Sequence, residues 1–297
     1  MKQQIDILLV IYNQSQYILQ ALDGIFAQRL NDNQQLCIIV ADDCSTDGTL
    51  NIIKTYAQKH KAEWVFLPNE KNLGHVRNYQ RAFAACTGDY VAIIEGDDYW
   101  SSPLHLQMHI DFLESHPECV LTTQCPVWYY EEEKYFDLRE NIYIGGMGYR
   151  AISIIDEIRD NQITNLSSCV IRGHAIRNID KKIFTCSILD WPLYIDLYRF
   201  GLLCVLSGTS NVYRSNNSGI YSGLDDDGQK QARLRYLNDL AKVFPQYEPY
   251  LNEAKDKLML KKKTKSATHR IAEVLLYPFV AIHRLCRRIA RIYKQML

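Results

Sequence analysis

The chain has 297 residues, 47% of them apolar and 23% charged, a globular composition that excludes a mainly disordered, collagenous or coiled-coil protein. Its formal net charge of zero hides an asymmetry: from Lys255 to Leu297 there are 12 basic and 2 acidic residues, which leaves 22 basic against 32 acidic before them. An acidic body argues against nucleic acid as a partner, and nine cysteines without a C-x-x-C pair argue against a secreted disulfide framework and for a reducing, cytoplasmic setting. The opening Met1-Lys2-Gln3-Gln4 and the short apolar run to Tyr12 read without a signal peptide. The apolar stretch Ile271 to Ile282 contains Glu273 and Pro278 and is shorter than the ~20 residues that cross a bilayer.

Taken in chain order, Ile5 to Ile11 is a β-branched run that predicts a strand, and Tyr17 to Gln28 has helical spacing through Ile18, Leu22, Ile25 and Phe26. The pattern then repeats, with strands over Leu36 to Ala41, Glu63 to Leu67 and Tyr90 to Ile94 and helices over Thr49 to Lys59 and Val76 to Ala85. Continuous apolar strands alternating with helices imply a parallel sheet covered on both faces, whose ligands bind at the carboxyl ends of the strands. From Val120 to Arg172 the pattern loosens, with acids at Glu131, Glu132 and Glu133 and a glycine-rich stretch at Gly145 to Gly148, and this segment reads as strands and loops covering the site. Ile183 to Gly201 reads as helical around Asp190, Leu202 to Val205 as a strand, and the chain beyond Gly223 as helical and increasingly basic.

Three polar clusters fall at the predicted strand ends: Tyr12-Asn13, Asp42 to Thr49, and Glu95-Gly96-Asp97-Asp98. Asp47 with Gly48 and Thr49 reads equally well as a helix cap. The adjacent acids Asp42 and Asp43 need donors or a cation to offset their repulsion. Three carboxylates within four residues at Glu95 to Asp98 suit a hard divalent cation, Mg²⁺ or Mn²⁺, that takes oxygen ligands and bridges phosphates, although an acidic turn is also a common solvated loop.

The chain resembles family 2 glycosyltransferases of GT-A fold across roughly residues 5 to 225, through ILLVIYNQSQYILQALDGIFAQ, VADDCSTDGTL, NLGHVRNYQRAFAACTGDYVAIIEGDDYW, LDWPLYIDLYRFG and VYRSNNSGIYS in that order. The resemblance implies an α/β fold with a mixed, mainly parallel sheet flanked by helices over residues 1–225, followed by a helical basic extension over 226–297. It implies a divalent cation and inverting transfer of a sugar, from a UDP-linked or other nucleoside-diphosphate donor, to a hydroxyl of a glycan or lipid-linked acceptor in surface polysaccharide biosynthesis. Carried over by position, Tyr12, Asn13 and Asp43 line the nucleoside pocket beside Asp42, while Asn72, Gly74, Arg77 and Asn78 close on ribose and diphosphate. Asp97 falls near the ribose or metal and Asp98 at the metal, with Glu95 where the family has Asp. Asp190 matches the catalytic base and also reads as a helix N-cap, with Pro192 in the first turn. Trp191 reads as an acceptor platform or a core residue. Arg214 is a candidate diphosphate contact, and Asn216 stands where the family often has histidine.

From Ile271 to Met296 apolar residues recur at steps of four and three, with Arg284, Arg287, Arg288, Arg291 and Lys294 on the other side. Such a helix lies on an anionic membrane surface, which predicts a cytoplasmic protein peripheral to the inner face of the plasma membrane; docking on the catalytic domain or on another subunit, hence a homo-oligomer, stays open. Two other functions fit less well. A sugar-phosphate nucleotidyltransferase expects a Gly-rich, basic phosphate loop after the first strand, which Ile11 to Ser15 is not. A catalytically lapsed nucleotide-binding module has no need of Asp98 and Asp190.

Overall fold

A computed structural model describes residues 2–138, 148–163, 165–216, 219 and 221–260. The amphipathic stripe from Ile271 to Met296, the lysines from Lys261 to Lys265, Gly145 to Met147, and Asn217 and Ser218 lie outside the described residues. The chain divides into two compact units, Met1–Lys255 and Asp256–Leu297.

The first unit opens with the predicted alternation: β1 (Gln3–Ile11), α1 (Ile18–Phe26), β2 (Gln34–Asp42), α2 (Thr49–Ala57), β3 (Glu63–Leu67), α3 (His75–Ala84) and β4 (Tyr90–Glu95). Every residue of β1 from Ile5 to Ile11 is buried, because helices cover both faces of the strand. Ile5, Ile7, Leu9 and Ile11 pack with Ile18, Leu22 and Ile25 of α1, whose apolar spacing turns one stripe to the sheet.

Beyond β4 come β5 (Tyr99–Trp100), α4 (His105–Ser115), β6 (Cys119–Gln124), β7 (Val127–Tyr130), β8 (Tyr135–Asp137), β9 (Tyr149–Ile152), α5 (Ile154–Asp160), β10 (Val170–Arg172), α6 (Gly173–Arg177), α7 (Asp190–Leu197), β11 (Leu202–Leu206), β12 (Asn211–Ser215), α8 (Asp226–Val243) and α9 (Glu248–Leu260). The main sheet has the order β3-β2-β1-β4-β10-β6-β11-β9, and β5-β12-β7-β8 form a second, smaller sheet. Strands β3, β2, β1 and β4 run parallel, while β10 is antiparallel to both β4 and β6, so the sheet is mixed and mainly parallel. This corrects one expectation: the segment from Val120 to Arg172 does not merely cover the site, since β6, β9 and β10 lie within the main sheet. A strand as short as β10 is below the length at which an apolar run separates strand from loop. Strands β7 and β8 of the small sheet fall in the segment expected to hold strands and loops, whereas β5, β12 and α4 were not expected as elements.

The order of strands places the site. The chain goes from β1 outward to β2 and β3, then crosses back to β4 on the other side of β1, so the direction reverses between β1 and β4. A crevice opens at the carboxyl ends of strands at such a reversal. Among the described residues no helix is long and apolar enough to cross a membrane.

Candidate active site

The loops after β1 and β2 are laced together at the crevice. Asn13 adopts a left-handed backbone (φ 53°), as does Cys44 (φ 68°), a conformation that asparagine tolerates better than most residues. The Asn13 N–H donates to Ser45 Oγ at 2.9 Å, and its side-chain oxygen accepts from the Thr46 N–H at 2.8 Å. Next to it, Ser15 N–H donates to Asp47 and Gln14 N–H to Thr49 Oγ1, at 2.9 and 2.8 Å. Asp47 therefore accepts from the start of α2 and from the β1–α1 loop together. Tyr12 is 47% exposed at the edge of this double loop.

The adjacent acids divide their work. Asp42 accepts from the Ser45 N–H at 3.1 Å and shapes its own turn. Asp43 reaches across to the segment before α3, accepting from Asn69 Nδ2 and the Leu73 N–H at 2.8 Å and from the Gly74 N–H at 2.9 Å. These three donors tie the buried Asp43 carboxylate to the segment before α3. Asn72 also accepts from the Gly74 N–H, and Gly74 takes φ 83°, where a side chain is strained. Arg77 follows in the first turn of α3, exposed, with Gln80 as its side-chain partner. Asn78 is buried and donates to the Ala41 carbonyl, and Arg81 donates to the carbonyls of Leu67 and Pro68. Tyr12, Asn13, Asp42, Asp43, Asn72, Gly74 and Arg77 thus gather at the ends of β1 and β2.

Across the crevice, Gln14 Nε2 donates to Asp97 Oδ1 at 2.9 Å and joins the loop after β1 to the turn after β4. The two loops approach so closely that a Cβ on Gly96 would stand 2.5 Å from Gln14 Oε1. Asp97 also accepts from Asn216 Nδ2 at 3.3 Å. Asp98 is buried, with Oδ1 accepting from the Arg214 N–H at 2.8 Å and Oδ2 from Asn165 Nδ2 at 3.3 Å. Burial, then the neighbouring carboxylates, push the Asp98 carboxyl well above the usual range, and burial raises Asp97 too. Burial and the Asp97 charge lift Glu95 to about 7, against the hydrogen bond from the Tyr79 hydroxyl that favours its ionised form.

Arg214 lies against this turn, and its guanidinium is committed to protein. Nε donates to the Asp97 carbonyl at 2.8 Å, Nη2 to Gln20 Oε1 at 2.7 Å, and Nη1 pairs with Glu131. The rings of Tyr17, Tyr129 and Tyr99 surround it at 4.5, 5.2 and 5.9 Å, within cation–π range. Arg214 therefore braces the turn that carries Asp97 and Asp98.

Asp190 is the first residue of α7, and its side chain does not cap that helix; Leu189 precedes it at the cap position. Its Oδ2 accepts from Asn161 Nδ2 at 3.2 Å. Burial raises its carboxyl, and its charge in turn raises Glu95 and Tyr79, so it lies within electrostatic reach of the carboxylate turn. Trp191 is 1% exposed and donates Nε1 to the Glu157 carbonyl, which makes it a core residue and leaves no face for an acceptor.

The adjacent carboxylates of half-buried Asp97 and buried Asp98 are oxygen donors of the kind a hard cation takes, and desolvation raises both against the donors that face them. Among the described residues no group of three His, Cys, Asp or Glu completes a metal shell. The pair fits a Mg²⁺ or Mn²⁺ ion that keeps most of its shell for phosphate oxygens and water. Residues that the sequence reading did not single out are Gln14, Asn161, Asn165, Glu157 and Arg81; each acts through a partner far along the chain, and local pattern carries no signal for it.

The chain matches the family model described as glycosyl transferase family 2 over residues 6–184. It is 31% identical over 223 residues to an uncharacterised protein of Mycobacterium tuberculosis, covering 74% of this chain and 61% of that protein. The chain thus spans less than two thirds of the length of that curated relative. In fold it is similar to Staphylococcus aureus TarS in complex with UDP-GlcNAc (TM-score 0.60, 16% identity, 93% of this chain and 76% of that one). It is also similar to a mannosyltransferase of Pyrobaculum calidifontis in complex with GDP-Man and Mn²⁺ (TM-score 0.59, 14% identity, 98% and 81%). With a mixed sheet that reverses at β1 and β4 and polar clusters at the strand ends, the chain belongs to glycosyl transferase family 2 and has the GT-A fold.

Proposed function

We propose that this chain is an inverting glycosyltransferase that moves a sugar from a nucleoside diphosphate, UDP-linked in the first instance, to a hydroxyl of a glycan or lipid-linked saccharide. The observation that supports this most is the Gln14–Asp97 contact across the β1/β4 crevice, which sets the nucleoside-side loops against the adjacent carboxylates of Asp97 and Asp98, with Asp190 in electrostatic reach. In this reading Tyr12, Asn13, Asp42 and Asp43 shape the nucleoside pocket and Asn72, Gly74 and Arg77 face the diphosphate. Arg77, exposed and lightly partnered, has the guanidinium free to pair with phosphate oxygens. Asp97 and Asp98 would hold Mg²⁺ or Mn²⁺, which when bound offsets the charge on the departing diphosphate. Asp190 takes the proton of the acceptor hydroxyl as that oxygen bonds to the anomeric carbon and the bond to diphosphate breaks on the opposite face. The basic stripe from Ile271 to Met296 suits attachment to the inner face of an anionic membrane, where a surface-polysaccharide precursor carried on lipid would be met.

The test is release of nucleoside diphosphate by the purified chain from UDP- and GDP-linked sugars, with and without Mn²⁺. Asp190→Asn is expected to lower turnover by about 10²- to 10⁴-fold, the usual worth of a general base, while donor binding persists. Asp98→Ala is expected to abolish metal-dependent release. Full turnover by Asp190→Asn would remove it from the mechanism.

A further inference from the structure

The start of α7 is held by a structure that the catalytic reading leaves unexplained. Helix α5 is capped at its beginning by Ser153, which accepts from the Asp156 N–H, and ends at Asn161 in a left-handed conformation, φ 32° and ψ 73°. At that end the Glu157 carbonyl accepts twice, from the Asn161 N–H at 3.0 Å and from Trp191 Nε1 at 2.7 Å. One carbonyl thereby locates both Asn161 and the residue next to Asp190. The Glu157 carboxyl group, fully buried, turns back on the same loop and accepts from the Gln162 N–H at 2.9 Å, fixing the chain that leaves Asn161. From this fixed point Asn161 Nδ2 reaches Asp190 Oδ2 at 3.2 Å. The amide can present only its NH₂ here, because its oxygen would face a carboxylate oxygen.

Among the described residues three buried oxygens in this cluster have no hydrogen-bond partner: Asp190 Oδ1, Asn161 Oδ1 and Glu157 Oε1. Buried polar atoms are nearly always paired, so these oxygens are positions that a water or a substrate hydroxyl can fill, and Asp190 Oδ1 is the one on the candidate base. A general base needs one lone pair left unsatisfied and a carboxylate that cannot rotate. The backbone N–H groups of Trp191 and Asp190 act on this carboxyl from its own helix, and Asn161 adds the side-chain donor that holds Oδ2 from α5.

We propose that Asn161 is the positioning residue of Asp190: its left-handed seat at the end of α5, locked by Glu157 and Trp191, aims one amide donor at Oδ2, fixes the carboxylate and favours its ionised form. This rests on the reading of Asp190 as base, and it deepens that reading by naming what sets the base's orientation and working pH. The titratable groups that Asp190 acts on are Glu157 of α5, Glu95 of β4, Tyr79 of α3, Tyr194 of α7 and Tyr236 of α8, while Asp160 acts on Glu157 and Arg233 lies over the Trp191 ring. Among the described residues Asn161 is the side chain that donates to the Asp190 carboxylate, beside the backbone N–H groups of Trp191 and Asp190.

The left-handed backbone makes a clean test available. Asn161→Gly removes the amide and relaxes the backbone, whereas Asn161→Ala would add strain. Asn161→Asp keeps the size and puts a second carboxylate beside Asp190. For the full chain and both variants, two readouts are compared: the ¹³C NMR titration of the Asp190 carboxyl, assigned by its loss in Asp190→Asn, and the pH dependence of nucleoside diphosphate release from UDP-glucose, UDP-GlcNAc and GDP-mannose. Loss of a donor destabilises the carboxylate, so the Asp190 titration and the acid limb of the rate profile are expected to move together to higher pH, by about one pH unit in Asn161→Gly and further in Asn161→Asp. At pH 7 kcat is expected to fall roughly tenfold with KM for the donor unchanged. A folded Asn161→Gly whose titration and acid limb both stay in place overturns the proposal, and Asn161→Asp serves the same purpose if the glycine variant does not fold. Failure of the base reading is visible separately as undiminished turnover by Asp190→Asn or silence of the wild type on every donor; the NMR titration then decides alone whether Asn161 governs Asp190.

Discussion

Arg77 stands exposed at the start of α3 with one side-chain partner, while Arg214 is enclosed by three tyrosine rings, Glu131 and the backbone of the Asp97 turn. Exposure leaves the first free to meet a ligand, and enclosure makes the second part of the frame. Arg77→Ala is therefore expected to weaken nucleoside diphosphate binding about tenfold in calorimetric titration and to change unfolding free energy by no more than about 0.5 kcal/mol. Arg214→Ala removes the brace on Asp97 and leaves half-buried Glu131 with Lys134 alone, so urea unfolding should show a loss of about 2 kcal/mol. The carboxylates themselves were legible in the sequence because they are consecutive acids at strand ends. The brace was not, since Arg214 contacts residues from Tyr17 to Glu131 that only folding brings near it.

Among the elements, α5 shows how a short helix can carry electrostatic consequence. Glu157 lies fully buried in it, and desolvation, followed by the charges of Asp190 and Asp160, lifts its carboxyl from 4.5 to about 8 despite the N–H groups of Gln162 and Ile163 that favour the ionised form. The folded chain thus binds this proton more tightly than the unfolded chain. The stabilisation is complete below about pH 4.5 and is lost as pH rises towards 8, at up to about 1.4 kcal/mol per pH unit. Glu157→Gln, which has no proton to lose, is expected to flatten the decline in melting temperature between pH 5 and 8. Retention of the wild-type slope in that variant would assign the decline to another group. The helix was not foreseen as an element, because seven residues, Ile154–Asp160, make barely two turns and give no sustained periodicity.

At the scale of the whole molecule, the acidic body and the basic end call for separate tests. If the stripe from Ile271 to Met296 meets an anionic surface, the full chain should sediment with vesicles containing phosphatidylserine and not with neutral ones, and salt should weaken the binding. Replacing Arg284, Arg287, Arg288, Arg291 and Lys294 by glutamine should abolish it while leaving nucleoside diphosphate release intact; vesicle binding that survives would place the contact elsewhere. The sequence by itself determined the alternation from β1 to β4 and the order of the polar clusters, because apolar periodicity and strand-end chemistry are properties of short segments. Only the tertiary structure decided what those clusters touch. The insertion of β10 between β4 and β6 follows a turn that brings Asn165 to Asp98, 67 positions away, and Ser167 to the Glu95 N–H, 72 positions away. Asn161 reaches Asp190 across 29 positions through a left-handed turn. Such pairings are fixed by strand order and packing across the sheet, and no local pattern encodes which distant partner a buried polar group will find.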